Sequence, residues 1–213
     1  MIPKLHYLSQ GNSYKEHIEH IQKACSSGSE LVQLQLNNTS EKKYLKLAEE
    51  AREITAHFQT RLIVENHYKI AKAIKADGVC LTKTATCPTI VRDYLYTWQM
   101  ISGVANTLQD CKDLIHKNVD YINLGPFKHL ENKMYSDKAL GLNGYSLIIE
   151  VLKTETPIIG FGGITLSTLK DVLKTGISGA AVSEEITNNF NNISKFHQLL
   201  NASSTQEQRY TFE

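Results

Sequence analysis

The residues best suited to chemistry lie in two short glycine-bearing segments late in the chain. Pro157–Ile164 reads PIIGFGGI, an apolar run that delivers Gly162 and Gly163 just ahead of a helical pattern. Glycine at such a turn lets backbone N–H groups approach an anion closely. Gly179–Ser183 reads GAAVS and ends the same way, with Val182 and Ser183 leading into another helical stretch. Two turns of this kind, each feeding a helix N-terminus, suit a phosphate monoester. The same glycines are also compatible with plain tight turns. His67 and His129 have the titration range for acid–base work, or are exposed or helix-capping histidines. Trp98 and the tyrosines fit packing better than a base-stacking platform.

Such turns must be held by something, and the chain alternates short apolar β-branched runs with helical segments. Strands are expected at Lys4–Leu8, Leu31–Leu36, Arg61–Glu65, Gly78–Leu81, Ile101–Ala105, Tyr121–Leu124, Pro157–Gly160 and Ala180–Ser183. Most are continuous apolar runs, the pattern of strands covered on both faces. Gln33 and Gln35 interrupt the second, so alternate residues there point to a barrel centre or a site. Helices are expected at Tyr14–Ser26, with Ser13 as N-cap, at Ser40–Phe58 with a weaker cap, and at Tyr68–Lys75, Thr89–Tyr94, Leu108–Lys117, Tyr145–Lys153, Ser167–Lys174 and Ile193–Leu200.

This alternation implies a parallel sheet with right-handed crossovers. Eight units predict an α/β fold, a single-domain (β/α)₈ TIM barrel over residues 1–201, with the polar segment 202–213 as a flexible, frayed tail. A doubly wound open sheet would need a glycine-rich turn after the first strand, and LHYLSQGNS offers one glycine. In a barrel, the two glycine turns belong to neighbouring strand ends, where phosphate sites are built.

Composition narrows the function classes. Across 213 residues, 23 basic and 22 acidic side chains leave a net charge of +1, with no electrostatic footprint for nucleic acid or an anionic membrane. No apolar run nears the roughly 18 residues of a membrane span. The opening MIPKLHYLSQ lacks the basic-then-apolar pattern of a signal peptide. Cys25, Cys80, Cys87 and Cys111 form no Cys-x-x-Cys pair and suit reduced thiols. A cytoplasmic protein acting on a small phosphate ligand is expected, and a homo-oligomer is compatible with it.

Several segments, in order along the chain, resemble the thiamine phosphate synthase and thiazole tautomerase (TenI-like) superfamily: VQLQL, ENHYKIA, ADGVCL, ISGVANT, VDYINLGPF with Lys133 downstream, ALGLNG, PIIGFGGI and TGISGAAVSEEI. The resemblance implies a thiamine-biosynthesis protein. The synthases join an aminopyrimidine methyl diphosphate to a thiazole phosphate, and diphosphate leaves with the help of magnesium. By this resemblance Gly162, Gly163, Val182 and Ser183 hold the thiazole phosphate. The positions that would bind diphosphate are Gln35 and Asn37, in place of arginine and lysine. The two metal-binding acids align with Asn66 and Ala85, so no metal ligands are assigned. A serine aligns with Ala105, the tautomerase histidine with Thr107, and two threonines with Leu130 and Asn132; Lys133 is retained.

Coulombic contributions in a diphosphate site are worth several kcal/mol each, so this pattern keeps the phosphate half and degrades the magnesium half. The remaining candidates for chemistry are Lys133, Glu65 and Lys83. Lys83 would place an ammonium where the metal would sit, or else is a solvated loop lysine. Glu65 is a reactive carboxylate or one paired with a lysine inside the barrel. Three classes stay open: a synthase with a rebuilt site or a tautomerase with a changed acid–base residue; a non-catalytic thiazole or thiamine phosphate binder; and another phosphate-handling barrel enzyme, for which no converging acid–base pair is apparent.

Overall fold

A computed structural model describes residues 1–36, 39–129 and 138–210, with 203–210 described by backbone alone. Strands β1 (Leu5–Leu8), β2 (Leu31–Leu34), β3 (Arg61–Glu65), β4 (Gly78–Leu81), β5 (Met100–Ala105), β6 (Tyr121–Leu124), β7 (Ile158–Phe161) and β8 (Gly179–Val182) alternate with helices. These are α1 (Tyr14–Ser26), α2 (Glu41–His57), α3 (Tyr68–Ala73), α4 (Pro88–Tyr94), α5 (Leu108–His116), α6 (Gly141–Leu152), α7 (Leu166–Lys174), the single turn α8 (Glu184–Thr187) and α9 (Asn192–Tyr210). The strands close in chain order into one parallel barrel, β8 returning to β1 through Tyr7↔Val182.

The expected (β/α)₈ barrel is therefore the fold, and the differences are at element ends. β2 stops at Leu34 and β8 at Val182, which places Gln35 and Ser183 in loops. α8 was not expected, because one turn carries no readable period. α9 runs helically to Tyr210, past Leu200 where the last helix was expected to end.

Alternation along each strand divides the core in two. Leu31, Ile63, Cys80, Val104, Tyr121, Ile159, Phe161 and Ala181 fill the barrel. Their neighbours, among them Val32, Leu34, Val64, Val79, Leu124 and Val182, pack outward against the helices. Gln33, two residues on from Leu31, is buried inside, as the sequence pattern required. Asn123 joins it there and donates from Nδ2 to Cys80 Sγ (3.2 Å) and Ser102 Oγ (3.3 Å).

Buried tyrosines fix the helices to the strand ends that carry the functional face. On α2, Tyr44 donates its hydroxyl to Leu34 O (3.0 Å) and accepts the N–H of Glu65 (3.2 Å). On α6, Tyr145 donates to Leu124 O (2.9 Å). Each is a packed ring with its one polar atom satisfied, the arrangement burial demands. Ser13 caps α1 by accepting the N–H of Glu16 (3.2 Å), while Ser40 makes no side-chain cap on α2.

Candidate functional site

A cavity of about 980 Å³ opens at the C-terminal ends of the strands. Gly162, Gly163, Val182, Ser183 and Gln35 all line it, so the two glycine-bearing turns share one space.

The β7 turn is shaped by its neighbour. Gly162 has φ +89° and a Cβ there would fall 2.6 Å from Pro126 Cβ; Gly163 has φ +78°. Only glycine takes such angles without strain, and here it also permits close approach. The loop after β6 then zips onto the turn, Phe127 N–H donating to Phe161 O (2.8 Å) and Lys128 N–H to Gly162 O (2.9 Å). With those carbonyls consumed, the N–H groups of Gly163 and Ile164 have no protein acceptor among the described residues. The N–H groups of Ser183 and Glu184 are in the same condition across the cavity. Unpaired amides beside a cavity attract an oxyanion.

Ser183 and Val182 contribute through their backbone. The Ser183 hydroxyl is within reach of Leu8 O (2.9 Å) and Gln10 Oε1 (2.7 Å), so its proton is already used to tie β8 to the β1 loop. Val182 turns its side chain into the outer core. Gln35 donates its N–H to Ser9 Oγ (3.2 Å). Two acids stand nearby: Glu184 is exposed, and Glu185 accepts the Leu166 N–H (3.4 Å).

The β3, β4 and β5 loops form a separate assembly that does not line this cavity. Asn66, at φ +58°, accepts at Oδ1 from Thr82 N–H (2.8 Å) and Thr82 Oγ (3.0 Å). Its oxygen is thus spent on joining two loops. Lys83 is likewise committed, its Nζ 2.8 Å from Asp110 on α5. Asp110 also accepts the N–H groups of Asn106 and Thr107 (2.9 Å each). Burial opposes its ionisation, but Lys83 and those donors hold its carboxyl below the usual carboxylate range. Thr107, at the tautomerase-histidine position, is the N-cap of α5 in a reciprocal capping box with Asp110. Ala85 packs against the core.

Glu65 lies inside the barrel, paired in register with Cys80, and is only 6% exposed. Burial pushes its carboxyl up to about 7. It meets no cation among the described residues. His67 packs against Tyr44 with ring centroids 4.0 Å apart and planes tilted by 40°, and burial lowers its pKa. His129 is exposed. Asn37, Leu130, Asn132 and Lys133 lie outside the described residues.

These side chains do not fit magnesium. A hard dication needs several anionic or carbonyl oxygens, whereas Asn66 Oδ1 is taken, Ala85 has none to give, and Glu65 holds its proton to near neutrality. Among the described residues no three His, Cys, Asp or Glu cluster to hold a metal ion. The sequence reading missed the β1 side of the cavity, where Gln10, Tyr14, His17, Lys43 and Lys46 come together from three separate elements. It also missed Asp110, whose only signal was its place three residues after Thr107.

The closed parallel barrel defines the class: a (β/α)₈ barrel protein with a cavity at the C-terminal face, where barrels of this kind carry their sites. A family model described as thiamine monophosphate synthase matches residues 7–186. The chain belongs to that family. It is 35% identical over 202 residues to a thiamine-phosphate synthase of Flavobacterium psychrophilum, covering 93% of this chain and 98% of that one. It is 35% identical over 190 residues to the Flavobacterium johnsoniae thiamine-phosphate synthase, covering 88% and 90%. Among solved structures, a thiamine phosphate pyrophosphorylase from Pyrococcus furiosus superposes with a TM-score of 0.78 at 21% identity, covering 95% of this chain and 96% of that one; that likeness speaks for the fold.

Proposed function

We propose that this protein binds a small phosphate monoester of the thiazole phosphate or thiamine phosphate type, and that the magnesium diphosphate half of the family's reaction is degraded. The observation that carries the reading is the shared cavity: unpaired amides at Gly163, Ile164, Ser183 and Glu184 face one space from two neighbouring strand ends. Gln35 and Asn37 provide no charge for a diphosphate, and Asn66 and Ala85 provide no carboxylate for its metal. The residues present therefore favour holding the phosphorylated heterocycle over expelling diphosphate.

Calorimetry with thiamine phosphate and with thiazole phosphate tests the binding. Micromolar affinity for either, lost in Gly163→Val, is expected; no heat with both ligands ends the proposal. Mixing the protein with aminopyrimidine methyl diphosphate, thiazole phosphate and magnesium tests the rest. Thiamine phosphate formed at rates usual for enzymes, above about 1 s⁻¹, would show that the diphosphate half is intact.

A second reading, proton transfer on the bound heterocycle, is favoured by one observation. Glu65 is a buried carboxyl shifted to about 7 with desolvation as its cause, the range in which a general acid–base group works best. Tautomerisation of a thiazole carboxylate phosphate that disappears in Glu65→Gln would support it; activity retained in that variant would remove Glu65 from the chemistry.

A further inference from the structure

The cavity does not end at the β7 and β8 turns. It passes over the β1 loop into a lobe between the first turns of α1 and α2, lined by Tyr14, His17, Lys43 and Lys46. Lys43 and Lys46 stand three apart on α2 and so share a face. Neither is in an ion pair among the described residues.

The nearby acid, Glu50, forms no ion pair with them among the described residues. Tyr14 donates its hydroxyl to Glu50 (2.5 Å), and the ammonium of Lys46 stands 5.9 Å from the centroid of the Tyr14 ring. The first turn of α2 is uncapped by Ser40, leaving the positive end of a long helix beside the lobe. Glu41 sits in that turn, exposed to solvent. Beneath the lobe His17 is 6% exposed, and its Nδ1 has no hydrogen-bond partner. Burial lowers its pKa.

One cavity thus carries donors at both ends, amides at the strand turns and two ammonium groups on α2. Its volume is at the upper end for small-molecule sites, well beyond the needs of one phosphate. A singly charged ligand held at the turns would leave the lysines facing it unpaired.

We propose that the α1–α2 lobe is a second oxyanion subsite, and that the ligand carries two separated acidic groups, a phosphate monoester at the strand turns and a phosphate-like group on Lys43 and Lys46. The two-ended ligand rests on the phosphate reading of the turns given above. Its second charge is met by helix-borne ammonium groups on the β1–β2 side, away from Asn66 and Ala85, with no metal required.

The test is a titration of ¹⁵N-labelled full-length protein with inorganic phosphate, followed by amide shifts. Two groups are expected to move with separate saturation, Gly163 and Ser183 in one, Lys43 and Lys46 in the other. The Lys43→Ala/Lys46→Ala double variant should lose the second group and keep the first; its dispersed spectrum reports folding independently. In calorimetry, the best of a series of α,ω-alkanediol bisphosphates should bind the natural protein at least tenfold more tightly than butyl phosphate, and the variant should abolish that gain. Shifts at the turns alone would overturn the second subsite and leave the proposed function standing. Shifts at the lobe alone would overturn the two-ended ligand together with the reading of the turns. No bisphosphate surpassing butyl phosphate would also overturn the two-ended ligand.

Discussion

At the scale of single residues, Gly162 and Glu65 are the positions where small changes should read out cleanly. Gly162→Ala places a methyl against Pro126 at a left-handed φ, and a left-handed non-glycine residue alone costs roughly 1–2 kcal/mol. A loss of about 1–3 kcal/mol in urea unfolding is expected, with weakened phosphate binding because the β6 loop must shift. Glu65 makes a prediction about pH. Its folded pKa of about 7 lies above the unfolded value near 4.5, so between those limits the native state holds more protons and stability falls as pH rises. His6 acts in the opposite sense: burial drops it to about 4, so the unfolded state takes up a proton below about 6.5 and stability falls as pH falls. The two slopes offset each other in the natural protein. Glu65→Gln removes the first, and its stability relative to wild type should grow by on the order of 3 kcal/mol from pH 4 to pH 8, measured by denaturant melts across that range. Glu65 was legible as a carboxylate on a strand near the site. The depth of its burial was not, because its surroundings come from β4, which only the barrel register brings alongside.

At the scale of elements, the loop ties decide what Lys83 and Asn66 do. Lys83 and Asp110 are distant in sequence, and which way a loop lysine reaches depends on the neighbouring helix, so no local pattern revealed the pair. Strand positions, by contrast, were readable almost to the residue, because a doubly covered strand shows as an unbroken apolar run bounded by polar loops. Lys83→Met should cost no more than about 1 kcal/mol, as partly exposed ion pairs do, and leave thiamine phosphate affinity unchanged. Asp110→Ala removes the α5 cap as well as the ion pair and should cost about 1–2 kcal/mol, visible as a lower Tm and faster amide exchange in α5. A large loss of ligand affinity in Lys83→Met would return that lysine to the binding site.

At the scale of the whole molecule, the cavity sits over β7, β8, β1 and β2, while β3, β4 and β5 end in loops bonded to one another. Ligand affinity should accordingly be the same with excess EDTA as with millimolar magnesium, measured by calorimetry; a tenfold dependence on the metal would mean that other residues supply a cation site. The fold itself was visible in the sequence through eight repeats of one pattern, but the asymmetry of its upper face was not, since it arises from which loops bond across and which leave donors open. The strands close back on themselves in register, with β8 on β1, and the sheet keeps no open edge to guard. Packing inside and outside the ring therefore bears most of the stability of the molecule, and the rim carries a smaller share. Acids and cations at the strand tips can be exchanged for amides and methyls while the barrel stays closed. In a barrel of this kind, the chemistry can be rewritten without putting the scaffold at risk.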